Sequence, residues 1–134
     1  MTDHDIAKKW LDYAEGDLEA AEILAEHPRS DRSWQLVVLH CHEAMEKLLK
    51  TILVQQAKEV KKIHDLIRLL DLTEIELPEE MVEYLKSLDP HYQIPKYPDL
   101  PSLSRSFHYD KDVAFSHIQQ TKELFLWIKQ HQLT

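Results

Sequence analysis

The amino-acid sequence predicts an all-α fold, an antiparallel up-down bundle of four to five helices with a long proline-rich loop before the last helix. Gly16 is the only glycine and five of the six prolines lie at or after Pro78, so the first half has few of the residues that close β-hairpins. Apolar residues recur at three- and four-residue steps over long stretches, which is the period of an amphipathic helix. Because 134 residues suit one hydrophobic core, we expect a single domain over residues 1–134.

The first helix is predicted over residues 3–26. An apolar stripe alternates there with acidic residues, and Pro28 ends the helix because proline cannot continue the backbone hydrogen bonding. The predicted stripe consists of Ile6, Trp10, Ala14, Leu18, Ala21 and Ala25.

The second helix is predicted to run to about residue 58 and to form the centre of the bundle, since it is the most apolar of the helices. We expect Ser30 or Asp31 to cap its start, because a side-chain oxygen there can accept hydrogen bonds from first-turn amides. Its predicted core positions are Trp34, Val37, Val38, Cys41, Ala44, Met45, Leu48, Leu49 and Ile52.

Two shorter helices follow. One is predicted over residues 63–72, with His64 in its opening turn. The next begins at Pro78, where a proline fits the first helical turn, and Glu79 and Glu80 favour the positive end of the helix dipole. The pair at residues 89–90, Asp-Pro, ends that helix.

Residues 91–109 are predicted to form the long loop, because they contain Pro95, Pro98 and Pro101 and show no helical period. Loops of this length in a compact domain are often functional. Asp110 or Asp112 is expected to start the last helix. Its predicted core stripe is Val113, His117 or Ile118, Thr121, Leu124, Phe125 and Ile128.

The charge balance constrains the partners. Sixteen basic and 24 acidic side chains give a formal net charge of −8, which argues against a long DNA partner. Residues 46–68 are the exception, with six basic and three acidic side chains. A basic patch on an acidic chain suits a small phosphate-bearing ligand or an acidic partner surface, and solvated helix faces are the alternative explanation. Without a signal-peptide or membrane-span pattern, we expect a soluble, cytoplasmic protein with no membrane partner.

The run from His40 to Glu43 raises the question of a metal site. A zincin helix needs a second histidine four residues after His42, where this chain has Glu46, and a zinc deaminase needs paired cysteines. His40 and His42 point in different directions on a helix, so they could share an ion only with help from elsewhere. We therefore predict no metal and no other cofactor. The single cysteine, Cys41, is expected to be a small buried hydrophobe rather than a disulfide partner or a nucleophile.

Four segments in order carry a resemblance to a known family: residues 10–21 (WLDYAEGDLEAA), 42–50 (HEAMEKLLK), 64–70 (HDLIRLL) and 92–99 (YQIPKYPD). Together they resemble the HEPN domain family (higher eukaryotes and prokaryotes nucleotide-binding), over nearly the whole chain. The resemblance implies a helical bundle, nucleotide binding and a homodimer paired through helical faces. Trp34 and Trp127 are candidates for that apolar surface, with ordinary core packing as the alternative.

The resemblance also implies a nucleotide- or partner-binding surface. Three of its residues match the family's Glu-Lys-x-x-Lys pattern, and four match Tyr-x-x-x-Arg-Tyr-Pro-Asp, with a lysine where the family usually has arginine. In chain order the candidate residues are Glu46, Lys47, Lys50, His64, Tyr92, Lys96, Tyr97 and Asp99. A lysine keeps the charge but loses the bidentate fork of arginine, so a phosphate contact there becomes looser.

Each candidate also has a plain structural interpretation. Glu43 with Lys47, and Glu46 with Lys50, have the four-residue spacing of surface ion pairs worth about 0.3–0.5 kcal/mol each. His64 could make only local hydrogen bonds at the start of its helix. Tyr97 and the proline after it could serve to hold the loop on the bundle.

Many HEPN proteins resemble metal-independent ribonucleases. Their motif is an arginine followed, after four to six residues, by a histidine. The arginine can stabilise phosphate charge and the histidine can move protons. No arginine of this chain has a histidine at that spacing. Arg105 and His108 come nearest, with two residues between them, and are the weak catalytic candidates. The sequence therefore leans away from an enzyme.

The leading hypothesis is a nucleotide-binding or partner-binding module, paired with a minimal nucleotidyltransferase in a toxin-antitoxin-like system, as the resemblance implies. The first alternative is a metal-independent endoribonuclease, a HEPN toxin that cleaves RNA through Arg105 and His108. The second alternative is a dimeric helical scaffold without a ligand.

Overall fold

The computed structural model describes residues 1–60, 62–98 and 107–133, and within these residues all regular structure is helical. Five α-helices follow one another, and a short 3-10 turn, Asp89–Tyr92, lies between the fourth and the fifth. Their bounds are Asp3–Glu26 (α1), Arg32–Gln55 (α2), Leu66–Thr73 (α3), Glu79–Leu88 (α4) and Lys111–His131 (α5). The predicted all-α bundle is confirmed.

Helix α2 is the centre of the bundle. It packs against all the other α-helices and against the 3-10 turn, and its most extensive interface is with α1. The short connection from residue 27 to 31 makes α1 and α2 antiparallel neighbours. All the predicted core positions of α2 are fully or almost fully buried except Trp34, which is half-buried against the core.

Both ends of α2 differ from the sequence prediction. Asp31 occupies the cap position but makes no side-chain capping bond; Ser33 Oγ instead accepts hydrogen bonds from the backbone amides of Arg29 at 3.0 Å and Ser30 at 3.4 Å. The helix ends at Gln55 rather than near residue 58, because Ala57 adopts a left-handed conformation with φ 57°. The chain turns away there and closes the helix with a hydrogen bond from Lys58 N to Leu53 O.

Helix α3 begins later than predicted, and this places His64 before the helix rather than inside it. Asp65 is the cap: its carboxylate accepts hydrogen bonds from the amides of Ile67 at 3.0 Å and Arg68 at 3.1 Å. The side chain of His64 is therefore free of the helix surface and can reach toward α2.

Helix α5 begins as predicted, after Asp110, whose carboxylate accepts a hydrogen bond from Val113 N at 2.8 Å. Its buried residues are Ala114, Ile118, Thr121, Leu124, Phe125 and Ile128, so Ile118 rather than His117 continues the core stripe. Val113, His117 and Trp127 are half-buried. No α-helix of the described residues is both long and apolar enough to cross a bilayer.

Cys41 lies fully inside the core. Burial in apolar surroundings raises the pKa of its thiol to about 12, so the group is a neutral thiol at physiological pH. This agrees with the predicted structural role and not with nucleophilic chemistry.

Candidate functional site

Glu46, in the middle of α2, is the hub of the candidate site. Its Oε2 accepts a hydrogen bond from Lys50 Nζ at 3.0 Å, and its Oε1 accepts one from His64 Nδ1 at 2.9 Å. The side chains of Glu46 and Lys50 are each only 6% exposed, so the expected surface pair is in fact a buried one. His64, from the segment before α3, contacts Glu46, and the ring centroid of Trp10 of α1 lies 5.8 Å from Lys50 Nζ.

Tyr92 connects the 3-10 turn to this hub. The imidazole of His64 stacks on its ring with centroids 4.3 Å apart and planes 12° apart. Lys96 Nζ lies 4.1 Å from the centroid of the same ring, a cation–π contact. Tyr92 thus holds His64 and Lys96, which are distant in the sequence, at one point of the surface.

A second set of charges continues the network along α2 toward α1. Lys96 Nζ lies 3.5 Å from Glu43 Oε1, Lys47 Nζ lies 3.9 Å from Glu43 Oε2, and Lys47 also pairs closely with Asp17 of α1. His40 Nδ1 is 3.3 Å from the other oxygen of Asp17. Partial burial pulls the pKa of Asp17 upward, but the hydrogen bonds from His40 and Lys47 outweigh it, and the pKa lies below its usual value.

His42 lies beneath this network, fully buried. Its ring centroid is 5.6 Å from that of Tyr92, and its Nε2 is 3.5 Å from Asp89 Oδ1, which is long for a hydrogen bond. Asp89 also accepts a hydrogen bond from Leu66 N at 2.9 Å. Burial raises the pKa of Asp89, but the contacts from His42 and the Leu66 amide lower it by more, so the carboxylate is ionised.

Two cavities flank the segment from Tyr92 to Pro98. The larger, about 680 Å³, lies between the start of α2 and the residues that lead into α5. Its polar lining includes Arg32 and His108. Its aromatic lining consists of Tyr97, Phe107 and Tyr109.

The smaller cavity, about 410 Å³, lies on the other side of Tyr92 and is bordered by His64, Lys86, Asp89 and Gln93. Lys96 borders only the larger of the two cavities, although its ammonium also contacts Tyr92. The segment from Tyr92 to Pro98 therefore presents different residues to the two cavities.

Backbone turns and buried anchors fix that segment. Lys96 N and Tyr97 N both donate to Gln93 O, at 3.0 and 3.2 Å. Ile94 is 6% exposed and Pro95 is also buried, whereas Tyr97 is 47% exposed. Two buried residues followed by exposed ones direct Lys96 and Tyr97 to the surface beside the larger cavity.

The sequence profile of the HEPN domain matches residues 7–131. The chain belongs to the HEPN domain family. Among solved structures, TT1696 from Thermus thermophilus is similar, with a TM-score of 0.77 and 21% identity over 92% of this chain and 96% of that one. ST0689, described as an archaeal HEPN homologue, has a TM-score of 0.72 and 23% identity over 96% of this chain and 98% of that one. At these identities the likeness shows a shared fold. No curated protein matches the chain significantly.

In this HEPN chain, five of the eight candidate binding residues form one connected network: Glu46, Lys50, His64, Tyr92 and Lys96. Lys47 joins it only through Glu43. Tyr97 lies apart from the network, on the wall of the larger cavity. Asp99 lies outside the described residues.

Of the two weak catalytic candidates of the HEPN ribonuclease hypothesis, His108 borders the larger cavity. Its side chain is 80% exposed, and its Nε2 lies 3.0 Å from Asp110 Oδ2. Arg105 lies outside the described residues.

Sequence reasoning missed several polar residues of this region. Arg32 had no motif to mark it, and Asp89 was interpreted only as the end of α4. His42 stood in the quoted HEPN segment but was considered only with its neighbours along the helix. The usable signal was its position four residues before Glu46, which puts both side chains on one face of α2.

Two further histidines, the buried His91 and the half-buried His117, contact tyrosine hydroxyls. His91 Nδ1 is 2.5 Å from the Tyr109 hydroxyl, and His117 Nδ1 is 3.0 Å from the Tyr84 hydroxyl, with the two imidazole centroids 5.3 Å apart. Burial, with a smaller contribution from the neighbouring His117 and His42, lowers the pKa of His91 to about 4, and burial lowers the pKa of His117 to about 4. Both are neutral at physiological pH.

Proposed function

We propose that this HEPN protein binds a nucleotide in the larger cavity, with its phosphate at Arg32 and Lys96. The observation that supports this is the composition of the cavity wall, which combines these two cations and His108 with three aromatic rings. A volume of about 680 Å³ falls in the range of small-molecule sites, roughly 300–1,000 Å³. A nucleotide needs both features, a cationic end for phosphate and a flat apolar surface for the base.

Arg32 is the better phosphate ligand of the two. Its Nη1 donates to the side-chain oxygen of Gln35 at 2.5 Å, and no described carboxylate forms an ion pair with it. The remaining guanidinium donors can therefore contact phosphate in a planar, bidentate way. Lys96 is partly engaged by Glu43 and Tyr92 and supplies a looser point charge.

The candidate residues then divide by role. Lys96 and Tyr97 face the ligand, whereas Glu46, Lys50, His64 and Tyr92 are positioning residues that hold the segment carrying them. Glu46 and Lys50 are assigned by burial, because a side chain that is 6% exposed offers little surface to a ligand, whereas Tyr97 is 47% exposed beside the cavity. His64 and Tyr92 are assigned by position, because they border the smaller cavity and not the larger one.

The test is calorimetric titration of purified protein with AMP, ADP and ATP. Arg32→Gln is expected to weaken binding about tenfold or more, because one charge-assisted phosphate contact is lost. Lys96→Gln should have a smaller effect in the same direction. Lys122→Gln, which removes an exposed lysine on α5, is the matched control and should leave the affinity unchanged.

Lys86→Gln distinguishes the two cavities, because Lys86 borders only the smaller one. Weakened binding in Lys86→Gln with unchanged binding in Arg32→Gln would move the site to the other side of Tyr92. Absence of binding by all three nucleotides would contradict the proposal and favour the ligand-free scaffold.

The proposal extends to partners. We expect a homodimer that associates with a minimal nucleotidyltransferase, as in toxin-antitoxin-like pairs of HEPN proteins. Membership of the family supports this expectation. Co-expression with the adjacent gene, followed by size-exclusion chromatography of the affinity-purified complex, tests it. A monomer that elutes without the neighbouring gene product would contradict it.

The ribonuclease alternative has one observation in its favour, the exposure of His108 at the larger cavity. It predicts cleavage of tRNA or total RNA in EDTA that disappears in both Arg105→Ala and His108→Ala. We expect no cleavage, since the arginine and histidine are closer in sequence than the ribonuclease pattern requires. Cleavage by wild type that is lost in both variants would show that the protein is a ribonuclease rather than a binding module.

A further inference from the structure

His42 has an unusual environment for a buried polar side chain. It is fully buried, and neither ring nitrogen forms a hydrogen bond with a described residue. The side chain of Asp89 borders the smaller cavity, and its Oδ1 lies 3.5 Å from Nε2 of His42. Buried polar groups are almost always paired, and an exception calls for an additional partner such as a water molecule, a ligand or an ion.

The neighbours of His42 provide the other ligands that an ion would need. His42, Glu43 and Glu46 each offer one donor atom, and these three atoms lie within 4.8 Å of one another. His64 Nδ1, reaching in from the segment before α3, lies 2.9 Å from Glu46 Oε1. We infer that His42, Glu43 and Glu46 bind one divalent transition-metal ion of the zinc class, with His64 beside Glu46 at the edge of the site.

Glu43 and Glu46 each have one oxygen atom that can bind an ion, although both side chains also contact lysines. Lys50 contacts Glu46 Oε2 and Lys96 contacts Glu43 Oε1. Glu46 Oε1 is paired with His64 alone and has no lysine contact, so it is the oxygen of Glu46 that can bind an ion. Glu43 Oε2 is 3.9 Å from Lys47, the longer of its two lysine contacts.

The donor set selects the type of ion. One imidazole and two carboxylates form a three-ligand set of nitrogen and oxygen donors, which suits Zn²⁺ with a water molecule in the fourth position. Mg²⁺ and Ca²⁺ prefer sites made of oxygen ligands, whereas the imidazole nitrogen of His42 suits Zn²⁺ and Co²⁺. We therefore expect binding of Zn²⁺ and Co²⁺ and none of Mg²⁺ at the same site.

The ion has a route of entry. The side chain of His64 is 44% exposed and borders the smaller cavity, which opens between α4 and the 3-10 turn. His42 and Glu46 lie deeper, so the ion first meets His64 and then the buried pair. Asp89, at 3.5 Å from His42 Nε2, can orient that imidazole as an outer carboxylate does in zinc sites.

The test uses the full chain, stripped of metal with EDTA and dialysed. Zn²⁺ content after equilibrium dialysis gives the stoichiometry, and Co²⁺ substitution gives a visible spectrum that reports tetrahedral coordination. Wild type is expected to bind one ion per chain with a rise in Tm. His64→Ala, which alters a partly exposed side chain, should weaken binding by about ten- to a hundredfold.

Three further variants complete the design. Glu43→Gln should weaken Zn²⁺ binding as His64→Ala does, and His42→Gln should abolish it, with circular dichroism showing that each variant folds. His108→Ala is the matched control, because it removes an exposed histidine that also contacts a carboxylate. The inference is overturned if wild type binds no stoichiometric Zn²⁺, or if His64→Ala binds as tightly as wild type and His108→Ala.

Discussion

At the scale of single residues, the burial of Glu46 determines how this surface is built. A glutamate four residues before a lysine on an exposed helix contributes a few tenths of a kcal/mol. Here both side chains leave water, and the cost of removing their charges from water is offset by the mutual contact and by His64. Removing one member therefore has a much larger effect than the spacing alone suggests.

Glu46→Gln is expected to lower the free energy of unfolding by about 3 kcal/mol, because it leaves the Lys50 ammonium buried without a countercharge. Urea denaturation in EDTA measures this without any contribution from bound metal. Glu83→Gln, which breaks the exposed Glu83–Lys86 pair, is the control and should change stability by less than about 0.5 kcal/mol.

A double variant tests whether the loss of stability comes from the unpaired charge of Lys50. Glu46→Leu with Lys50→Met removes both charges and should recover most of the stability lost in Glu46→Gln. If Glu46→Gln instead unfolds within about 0.5 kcal/mol of wild type, the pair is as weak as a surface pair.

Single residues also show why the candidate site was only partly predictable. The family pattern identified Glu46, His64, Tyr92 and Lys96, and these side chains do meet. Their division into buried and exposed members depends on which segment covers which face of α2, and no local spacing contains that information. The unpaired state of His42 is likewise a property of the packed interior.

At the scale of elements, the helix ends show which boundaries a sequence pattern can predict and which it cannot. The apolar period and Pro28 predicted both bounds of α1, and these are confirmed. The end of α2 was predicted about three residues too late, because a left-handed alanine at position 57 is a rare stop signal that composition does not reveal. Asp31 and Asp65 look equally suited to capping, but only Asp65 caps its helix.

The two aspartates provide a matched pair of variants. Asp65→Ala is expected to destabilise the protein by about 1 kcal/mol, because two first-turn amides of α3 lose their acceptor. Asp31→Ala should have almost no effect, since its side chain makes no capping bond. Thermal or urea denaturation of both variants checks this, and equal losses would show that Asp31 caps α2 in solution.

The same cap positions His64. Because α3 begins only after Asp65, His64 stays outside the helix and can reach Glu46 and Tyr92. Asp65→Ala is therefore also expected to weaken the proposed nucleotide and Zn²⁺ binding slightly by loosening that segment, which calorimetric titration of the variant measures.

At the scale of the whole molecule, the net charge and the site have opposite signs. A chain of net charge −8 repels long polyanions, while the cations of Arg32 and Lys96 outnumber the single carboxylate, that of Asp31, among the residues that line the larger cavity. A small anionic ligand can enter that cavity without lying along the acidic remainder of the surface. This combination favours a mononucleotide over duplex DNA as ligand.

His91, which is buried, and His117, which is half-buried, connect separate parts of the bundle and make the stability of the whole molecule sensitive to pH. His91 belongs to the 3-10 turn, His117 to α5, and their hydroxyl partners are Tyr109, just before α5, and Tyr84 on α4. Protonation of either imidazole places a charge among these elements. Because the pKa of both imidazoles is lowered, the folded state binds protons at His91 and His117 only near pH 4, whereas the unfolded chain binds them near pH 6.5.

The sign of the effect follows from this difference in pKa. Above about pH 6.5 both states are neutral at these positions, and the two histidines leave stability unchanged. As pH falls from about 6.5 toward 4, the unfolded state binds more protons, and stability decreases by up to about 1.4 kcal/mol per pH unit for each histidine. Between about pH 6.5 and about pH 5 the two together should cost roughly 2–4 kcal/mol.

Urea midpoints measured between about pH 8 and about pH 5 test this expectation directly. His117→Gln should flatten the slope by about half, because one of the two titrating groups is gone. His108→Gln removes a histidine whose side chain is 80% exposed, so it should leave the slope as in wild type. A wild-type midpoint that stays constant down to about pH 5 would show that His91 and His117 are protonated in the folded protein without penalty.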